Sequence, residues 1–556
     1  MCREPRGYFH VQVNNAHPGA LYRFRLANGD ERPDPASRFQ PQGVHGPSQV
    51  VDPGFDWADV PWRGIELRDC IFYELHVGTF TPEGTFESAI PRLAELASLG
   101  VTAIELMPVA EFPGNHGWGY DGVNLYAPHH AYGGPQGLRM LVNACHSQGL
   151  AVFLDVVYNR LGPTGNYLHS FAPYFTDHYV TPWGEAVNLD GAGSDEVRRY
   201  FCENAAMWLR DFHFDGLRID AVHAMVDTSA VHILEQLSGE TRRLEAELGR
   251  RLLLIAESNL NDPRIIRPAE IGGYGIHAQW SDDFHHSLHA ILTGEKSGYY
   301  ADFGSMADLA KALRQAFVYD GQYSAFRRRQ HGRPATGASG HQFLGYLQTH
   351  DQVGNRAKGE RSSRLLTAGQ LKLAAALTFT APFLPMLFQG EEWAASSPFP
   401  YFTDHQDPGV ARRVREGRRR EFATFGWDPQ EIPDPQAEAT FLSARLDWSE
   451  RRREPHSTLL EWHRELIRLR RSEPALRDGN LAAVEVNYDE DAKWLVMTRG
   501  AITLSCNFAA QRRSVPVRSS AQRMLLVSGD SIRLHSGAME LPAHSAAILR
   551  SGNPTK

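Results

Sequence analysis

The sequence has little of what marks secreted, membrane-spanning or nucleic-acid-binding proteins. Its five cysteines are odd in number and scattered, and no pair has the spacing of a metal or redox motif, so we expect free thiols in a reducing compartment. The N-terminus, MCREPRGYFHVQV, lacks the apolar core of a signal peptide. Together these two absences predict a cytoplasmic protein.

Long apolar runs and concentrated positive charge are also missing. The longest apolar stretch, residues 371–388, contains Lys372 and two prolines, which predicts a buried helix followed by a strand and not a membrane span. The net charge is −8, and an acidic residue interrupts the locally basic stretch at residues 412–420. A solvated loop or helix face explains that stretch better than contact with a nucleic acid. We therefore expect neither a membrane nor a nucleic acid as a partner.

What is present is an ordinary globular composition spread over several domains. Hydrophobic residues make up 42% and charged residues 22% of a chain of 556 residues, a length that suggests roughly two to four domains. Residues 1–62 carry short alternating runs and turn signals such as Asn28-Gly29, which are typical of a small β-domain. Residues 476–556 show a similar pattern, which predicts a C-terminal all-β domain.

Between these regions, residues 63–475 alternate apolar strand candidates with helical periods. Such alternation predicts a parallel sheet, and the number of units over about 400 residues favours a (β/α)8 barrel with insertions. The sixth strand is the weakest of the series because its apolar pattern is short. The strand candidates are residues 71–75, 103–107, 151–157, 216–219, 252–256, 278–280, 343–347 and 385–388.

Four of the predicted strands deliver a carboxylate. The third carries Asp155, the fourth ends in Asp220, the fifth carries Glu257 near its end, and the seventh, FLGYLQTHD, ends in Asp351. In barrels of this kind the chemistry lies where the strands end. A helix cap is an equally good explanation for any one of these residues, but it does not account for all four. They predict one acidic site at the carboxyl ends of the strands.

The spacing of these residues predicts which carboxylate is ionised and which is protonated. Arg218 and Asp220 are two apart on a strand, so their side chains point the same way and the guanidinium favours the ionised carboxylate. Glu257 follows an apolar run near other carboxylates, which favours its protonated form. A retaining glycosidase needs one carboxylate to attack the sugar and a second, about 5–5.5 Å away, to protonate the leaving oxygen.

Aromatic side chains fit a sugar site, and the histidines do not predict a metal. The loop Trp118-Gly119-Tyr120-Asp121 places rings beside a carboxylate, although packing explains Trp118 equally well. The pairs His129-His130 and His285-His286 are adjacent, which is a poor metal spacing, and no His-Glu-x-x-His motif occurs. We therefore expect no catalytic metal and no cofactor.

Four segments resemble the signature segments of the α-amylase family, glycoside hydrolase family 13, in the family's order. They are DVVYN at 155–159, GLRIDAVH at 216–223, IAES at 255–258 and THDQVGN at 349–355. The resemblance implies Asp220 as the nucleophile, Glu257 as the general acid/base and Asp351 as the stabiliser of the transition state. It also implies substrate contacts from Tyr120, Asp155, Arg218, Ile219, Ala221, Val222, His223 and His350.

Longer stretches resemble one subfamily, whose members hydrolyse the α-1,4 bond next to the terminal trehalose of maltooligosyltrehalose. They lie at residues 33–53, 256–264, 278–300, 350–361 and 388–393. The resemblance implies an N-terminal β-sandwich, a catalytic barrel and a C-terminal β-domain, with maltooligosyltrehalose as substrate. Capping of a strand and helix remains the alternative explanation for residues 282–286. The residues assigned to the trehalose side are Asp282, Asp283, Phe284, His285, His286, Gln352, Val353, Gly354 and Asn355.

The sequence departs from this family in two places. The first signature segment usually ends in Asn-His, whereas here Asn159 is followed by Arg160. A guanidinium in the sugar subsite would have to be desolvated when the sugar binds, so we expect Arg160 to turn outwards and pair elsewhere on the rim. The family's sandwich also begins with strands that are absent before Met1, so the N-terminal module is expected to be shortened.

Two other functions share some of these features. A glycogen branching enzyme has the same barrel, carboxylates and N-terminal module but transfers a glucan chain, and the segments at 256–264 and 280–286 argue against it. An amylase-like barrel can also serve as a binding subunit without activity. Such proteins usually lose one of the three catalytic carboxylates, and this sequence keeps all three.

Overall fold

The computed structural model describes residues 1–423, 427–428, 430–518 and 522–552. At its centre, eight parallel strands close into a barrel in chain order. The predicted (β/α)8 barrel is therefore confirmed, including its weak sixth strand. The barrel strands, named β1 to β8, are Phe72–Leu75, Ala103–Leu106, Ala151–Val156, Gly216–Ile219, Leu253–Ala256, Ala278–Trp280, Phe343–Gly345 and Leu384–Phe388.

Both faces of the barrel strands are buried, which explains their nearly continuous apolar sequences. Every residue of β3, Ala151–Val156, is buried. Phe153 packs in the inner cluster with Phe72 and Leu253, whereas Leu154 belongs to the larger cluster that includes the surrounding helices. Apolar side chains thus fill the barrel interior and leave the carboxyl ends of the strands for polar groups.

Helices pack around the barrel with their apolar faces inwards. Between β2 and β3, the helix Gly134–Ser147 buries Leu138, Leu141, Val142 and Cys145 on one face, because residues three and four apart lie side by side on a helix. The α-helices in the described ranges are Val77–Phe80, Phe86–Ala89, Leu93–Leu99, Gly134–Ser147, Ser194–Asp211, Ile233–Leu248, Asp282–Thr293, Met306–Gln315, His350–Gly354, Ser362–Leu365, Ala368–Thr380, Pro408–Ala423, Glu438–Ser443 and His456–Ser472.

The longest apolar stretch of the sequence forms the predicted helix and strand. The helix Ala368–Thr380 is buried over most of its length, and β8 follows it. Thr367 caps the helix, since its side chain accepts a hydrogen bond from the backbone N–H of Gln370. None of the described helices is long and apolar enough to cross a membrane.

The first residues of the chain form short strand pairs instead of two packed sheets. Each of these strands is two residues long, and Phe9, Val11 and Val13 are exposed. Strands this short present no continuous apolar face to a second sheet, so the expected sandwich is reduced to separate antiparallel pairs. The pairs are Cys2–Arg3 with Phe9–His10, Leu21–Tyr22 with Ser48–Gln49, and Phe24–Arg25 with Glu31–Arg32.

The predicted C-terminal all-β region is confirmed. A five-stranded and a three-stranded antiparallel sheet share a small apolar core that includes Val515, Met539 and Leu549. The strands of the larger sheet are Val484–Asp489, Trp494–Arg499, Ile502–Asn507, Gln522–Val527 and Ser545–Ser551, and those of the smaller sheet are Arg513–Pro516, Arg533–His535 and Ala538–Leu541.

Three two-stranded sheets lie in the connections that follow β2, β3 and β6. The first two lie in loops that leave the carboxyl ends of β2 and β3 and so border the predicted site, whereas the third comes after the helices Asp282–Thr293 and Met306–Gln315. Their antiparallel pairs are Ala110–Glu111 with Asn124–Pro128, Phe175–Thr181 with Gly184–Val187, and Asp320–Ser324 with Arg329–Gly332.

Candidate active site

The three predicted catalytic carboxylates lie beyond the carboxyl ends of barrel strands. Asp220 directly follows β4, and Glu257 directly follows β5. Asp351 does not end β7, as the sequence suggested, because β7 stops at Gly345 and a loop leads to the short helix His350–Gly354. Asp351 still acts electrostatically on Glu257, so the three carboxylates share one rim.

Arg218 joins two of the carboxylates at this rim. Its Nη1 donates to both oxygens of Asp155 at 2.9 Å and to Oδ1 of Asp220 at 2.7 Å. The guanidinium carbon lies 4.3 Å from the ring centroid of Trp280. Asp155 on β3 is the register partner of Arg218 on β4, so this ion pair follows from the alignment of the two strands.

Asp220 is buried, and its surroundings favour the ionised form. Burial alone would raise its pKa, but the guanidinium groups of Arg160 and Arg218 and the amide of Asn159 outweigh burial and hold the pKa below its usual range. Nδ2 of Asn159 donates to Oδ2 of Asp220 at 3.1 Å. A carboxylate in this state is suited to act as a nucleophile.

The expectation that Arg160 turns outwards is wrong. Its Nη1 donates to Oδ2 of Asp220 at 3.0 Å, and its guanidinium carbon lies 4.2 Å from the ring centroid of Trp183. The Arg160 side chain is only 14% exposed. The desolvation cost that argued against this position is offset by a carboxylate on one side of the guanidinium and an aromatic ring on the other.

Glu257 has different electrostatic surroundings. Its Oε2 accepts a hydrogen bond from the backbone N–H of Ala221 at 2.6 Å and lies 3.7 Å from Nη2 of Arg218. Burial, together with the negative charges of Asp220 and Asp282, outweighs Arg218 and raises the pKa of Glu257 to about 8. Glu257 is therefore protonated at neutral pH, as a general acid must be.

A chain of hydrogen bonds supports Asp155 from the other side. The Tyr120 hydroxyl donates to Oδ2 of Asp155 at 2.5 Å and lies 2.8 Å from Nε2 of His350, whose Nδ1 lies 2.5 Å from Oε1 of Glu74. Because the hydroxyl uses its hydrogen on Asp155, it accepts from His350, so both ring nitrogens carry protons. Burial would lower the pKa of His350, but Glu74 outweighs it and raises the pKa. The sequence analysis missed Glu74, because no motif marks a charged residue inside an apolar strand.

Asp351 is positioned by the residues that follow it. Nδ2 of Asn355 donates to Oδ1 of Asp351 at 2.8 Å. Nη1 of Arg418, on the helix Pro408–Ala423, donates in turn to Oδ1 of Asn355 at 3.1 Å. Asn355 therefore contacts the predicted stabiliser, and its amide is engaged in orienting that carboxylate.

The other residues of segment 352–355, which are Gln352, Val353 and Gly354, make contacts within the protein. Oε1 of Gln352 accepts from the backbone N–H of Thr349 at 2.9 Å and completes the cap of the short helix. Val353 is buried in an apolar cluster with Trp118. A Cβ added to Gly354 would lie 1.9 Å from the indole of Trp118, so only glycine fits there. Gln352, Val353 and Gly354 therefore shape the segment around Asp351.

Residues 282–286 form the first turn of the helix Asp282–Thr293, and they face in different directions. The Tyr346 hydroxyl donates to Oδ1 of Asp282 at 2.7 Å, and burial raises the pKa of Asp282 to about 7. Oδ2 of Asp283 accepts from the backbone N–H groups of Val318 at 2.5 Å and Tyr319 at 3.1 Å. Asp282 thus offers a carboxyl group to the cleft, while Asp283 anchors the next loop.

Two residues of this turn face the protein core. Phe284 is fully buried, with its ring centroid 5.4 Å from that of Phe383. Nδ1 of His285 donates to the carbonyl of Leu347 at 2.7 Å, and its Nε2 lies 2.9 Å from the Tyr300 hydroxyl. The structure therefore does not bring the side chains of Phe284 and His285 to the site, because Phe284 packs in the core and the imidazole of His285 is held by Leu347 and Tyr300.

A small cavity opens beside Asp282. The rings of His286 and Tyr299 stack in its wall with centroids 4.9 Å apart. Nε of Arg327 is buried and has no hydrogen-bond partner among the described residues. No sequence motif marks the side chains that the strand pair after β6 brings here. The cavity is lined by Asn259, Asn261, Asp282, Asp283, His286, Tyr299, Phe303, Tyr319, Phe326 and Arg327.

The four other residues expected around the predicted nucleophile differ in what they offer. Ile219 and Val222 are buried apolar residues of the wall, and Ala221 contributes its backbone N–H to Glu257. His223 is partly exposed, and its buried Nδ1 has no partner in the described part of the chain. Burial lowers the pKa of His223, so its imidazole is neutral near pH 7 and able to contact a sugar hydroxyl.

One cluster within the described ranges has the residue types of a metal site. Donor atoms of Glu111, His129 and His130 lie within 4.8 Å of one another. Nδ1 of His129 accepts from the backbone N–H of Ala131 at 3.1 Å, so its Nε2 carries the proton and donates to the carbonyl of Phe112. Nδ1 of His130 already lies 2.7 Å from Oε1 of Glu111. These hydrogen bonds leave the cluster without a free set of ligands.

Known proteins share this architecture. Residues 23–179 match the family model of the alpha amylase catalytic domain, and residues 479–548 match a domain of unknown function. A malto-oligosyltrehalose trehalohydrolase of Rhizobium sp. (strain M-11) is 50% identical over 530 residues, which cover 94% of this chain and 89% of the relative. A crystal structure from Salmonella typhimurium, described as that of an alpha amylase, is 39% identical with a TM-score of 0.88 and covers 97% of this chain and 92% of its own.

The rival branching enzyme is a more distant relative. A 1,4-alpha-glucan branching enzyme of Geobacillus stearothermophilus is 31% identical over 315 residues, which cover 50% of this chain and 48% of that enzyme. The Rhizobium protein matches most of both chains at higher identity. The chain therefore belongs to the malto-oligosyltrehalose trehalohydrolase family, within the larger α-amylase family.

Proposed function

We propose that the protein is a retaining hydrolase that cleaves the α-1,4-glucosidic bond next to the terminal trehalose of maltooligosyltrehalose and releases trehalose. One observation carries the chemistry: an ionised Asp220 and a protonated Glu257 lie around the guanidinium of Arg218. The name of the Rhizobium relative supports the substrate. Glucan transfer, as in a branching enzyme, is the alternative.

In the first step, an oxygen of Asp220 attacks the anomeric carbon of the glucose unit at the cleavage point. Glu257 gives its proton to the glycosidic oxygen as the bond to the trehalose part breaks. Asp220 then carries the glucan chain as an ester, and Glu257 is a carboxylate. We assign the binding of the glucose unit during this step to Asp351 and the positively charged His350.

In the second step, Glu257 accepts a proton from a water molecule, and the water oxygen attacks the same anomeric carbon. The ester bond breaks, and Asp220 leaves as a carboxylate stabilised by Arg218. Because each step inverts the anomeric centre, the product keeps the α configuration.

We assign the trehalose part of the substrate to the cavity beside Asp282. A disaccharide offers many hydroxyl groups and two apolar ring faces. The cavity offers the carboxyl group of Asp282, the unpaired Nε of Arg327, and the stacked rings of His286 and Tyr299. These polar and aromatic groups suit a sugar.

The products of hydrolysis test the proposed function. Incubation with maltotriosyltrehalose should yield trehalose and maltotriose, and the new reducing end should first appear as the α-anomer in a proton NMR spectrum. Maltopentaose, which has no trehalose end, is the matched control and should be cleaved more slowly. A β-anomeric first product would rule out the retaining mechanism, and release of glucan fragments without trehalose would rule out the substrate.

The alkaline limit of activity tests the state of Glu257. The general acid must be protonated, so kcat/KM should fall as the pH rises through about 8, the raised pKa of Glu257. The Asp282 charge contributes to that rise, so Asp282→Asn should move the alkaline limb to lower pH. Asp262→Asn, which removes a carboxylate paired with Arg264, is the control and should leave the limb in place. If the alkaline limb of kcat/KM is unchanged in Asp282→Asn, the charge of Asp282 does not affect the pKa of Glu257.

Several expectations from the sequence stay predictions. We propose domain limits at residues 1–62, 63–475 and 476–556. We also propose the cytoplasm as the location, because the cysteines of the described chain are unpaired thiols, which suits a reducing compartment.

A further inference from the structure

Arg160 stands where the family usually has histidine, and it touches the predicted nucleophile. Its Nη1 donates to Oδ2 of Asp220 at 3.0 Å and to Oδ1 of Asn159 at 3.3 Å. Trp183, at the turn of the strand pair after β3, covers the guanidinium at 4.2 Å. The side chains of Arg160 and Asp220 are 14% and 9% exposed, so water screens this ion pair only weakly.

The hydrogen bonds of Asp220 are divided unequally between its two oxygens. Oδ2 accepts from Asn159 at 3.1 Å and from Arg160 at 3.0 Å, whereas Oδ1 accepts from Arg218 at 2.7 Å. Each carboxylate oxygen has room for about two hydrogen bonds, so Oδ2 is saturated and Oδ1 keeps a free lone pair. The carboxylate cannot rotate without breaking a charge-assisted bond on each side.

We propose that Arg160 is a positioning residue that, together with Arg218, clamps the Asp220 carboxylate from two sides and leaves Oδ1 as the attacking oxygen. This inference rests on the proposed function. A neutral imidazole at position 160 would donate one hydrogen bond but place no permanent charge there. The second cation keeps the nucleophile ionised at acid pH, where a buried carboxylate would otherwise take up a proton.

The same contact acts in the second step of the reaction. When Asp220 carries the glucan chain as an ester, it has lost its charge, and Arg160 lies opposite a neutral group. As water attacks and the ester bond breaks, the electron pair returns to the Asp220 carboxylate. Arg160 stabilises this leaving carboxylate without changing its own protonation, since a guanidinium stays charged.

The pH dependence of activity in three Arg160 variants tests the proposal. Arg160→Gln removes the positive charge. Arg160→Lys keeps the positive charge but lacks the planar guanidinium group. Arg160→His restores the residue that the family usually has. Arg199→Gln, at an exposed pair with Glu203 on the helix Ser194–Asp211, is the matched control. We would measure kcat and KM on maltotriosyltrehalose over the full pH range, and thermal stability at each pH.

In Arg160→Gln, the acid limb of kcat/KM should move up by about one pH unit or more, because an opposite charge nearby shifts a carboxyl pKa by about 1–3 units. Above the imidazole pKa of about 6.5, Arg160→His should behave like Arg160→Gln, whereas below it the imidazolium again carries a positive charge and most of the shift should be absent. In Arg160→Lys most of this shift should be absent, and Arg199→Gln should match the wild type. We expect kcat to fall and KM to change little. An acid limb that stays in place in Arg160→Gln would overturn the proposal.

Two further readouts separate this inference from the proposed function. If the wild type cleaves maltopentaose but releases no trehalose, the proposed substrate fails, and the Arg160 variants are compared on maltopentaose. If the wild type cleaves neither substrate, the pH dependence of thermal stability in the wild type and in Arg160→Gln tests the clamp. The clamp stabilises the fold only while Asp220 is ionised, so the difference between wild type and Arg160→Gln should be largest near neutral pH and should shrink as the pH falls through the lowered pKa of Asp220. A difference independent of pH would overturn the clamp.

Discussion

Asp220→Asn and Glu257→Gln should each reduce turnover by several orders of magnitude, on the order of 10⁴-fold or more, and leave the fold intact. Both groups act mainly in the transition state: one forms the bond to the anomeric carbon and the other protonates the leaving oxygen. Their loss should therefore appear in kcat and only weakly in substrate binding. Steady-state kinetics on maltotriosyltrehalose and circular dichroism give the two measurements.

Glu203→Gln is a matched control for these variants, because it removes an exposed carboxylate on the helix Ser194–Asp211 and should keep full activity. Azide adds a second distinction. It attacks without a general base, so with a substrate whose leaving group needs no protonation it should speed the second step in Glu257→Gln, whereas in Asp220→Asn no ester forms for it to attack. If either variant kept a tenth of the wild-type turnover, the assignment of its residue would be wrong.

Arg499→Met should lower the free energy of unfolding by about 3 kcal/mol or more. Arg499 is 4% exposed and lies on the strand Trp494–Arg499 of the C-terminal sheet. Its Nη1 donates to the carbonyls of Thr380 at 2.7 Å and Ala381 at 2.9 Å, at the end of the buried helix before β8. Its Nη2 donates to the carbonyl of Asp478. Methionine of similar length would remove these bonds from the carbonyls of Thr380 and Asp478, whereas Ala381 keeps a hydrogen bond from Nη1 of Arg470 at 3.0 Å.

The charge of Arg499 is retained in spite of its burial. Burial lowers its pKa to about 10, which still leaves the guanidinium protonated at neutral pH. It faces the C-terminal end of a helix, where the backbone dipole favours a cation. Urea unfolding followed by tryptophan fluorescence gives the stability change. Arg518→Met, at an exposed pair with Glu485, is the control and should change stability by less than about 0.5 kcal/mol. A change below about 1 kcal/mol in Arg499→Met would show that water replaces the lost hydrogen bonds.

The barrel could be predicted because its signals are local. The observed bounds of β4 and β6 coincide with the predicted strands at 216–219 and 278–280. An apolar run of strand length between polar turns specifies a buried parallel strand without reference to distant residues. The two-residue spacing of Arg218 and Asp220 likewise predicted their contact, which the structure shows at 2.7 Å. The N-terminal sandwich was harder to predict, because alternation in a run of two or three residues does not fix a strand.

The contacts that set the charge states of the site residues form only when the barrel closes. Glu74 and His350 are 276 positions apart and meet because β8 pairs with β1 and closes the sheet. Arg160 follows β3, and its sequence context alone did not show whether it would face the solvent or Asp220. The direction of Phe284 depended on where its helix begins.

The sequence by itself determined the strand order, the carboxylates at the strand ends and the family, because these depend on residue type and short spacing. Only the tertiary structure decided which charges surround each carboxylate, and therefore that Asp220 is ionised while Glu257 is protonated. The physical reason is that a pKa depends on burial and on charges within a few ångströms, and the residues that supply these charges come together only when the chain has folded.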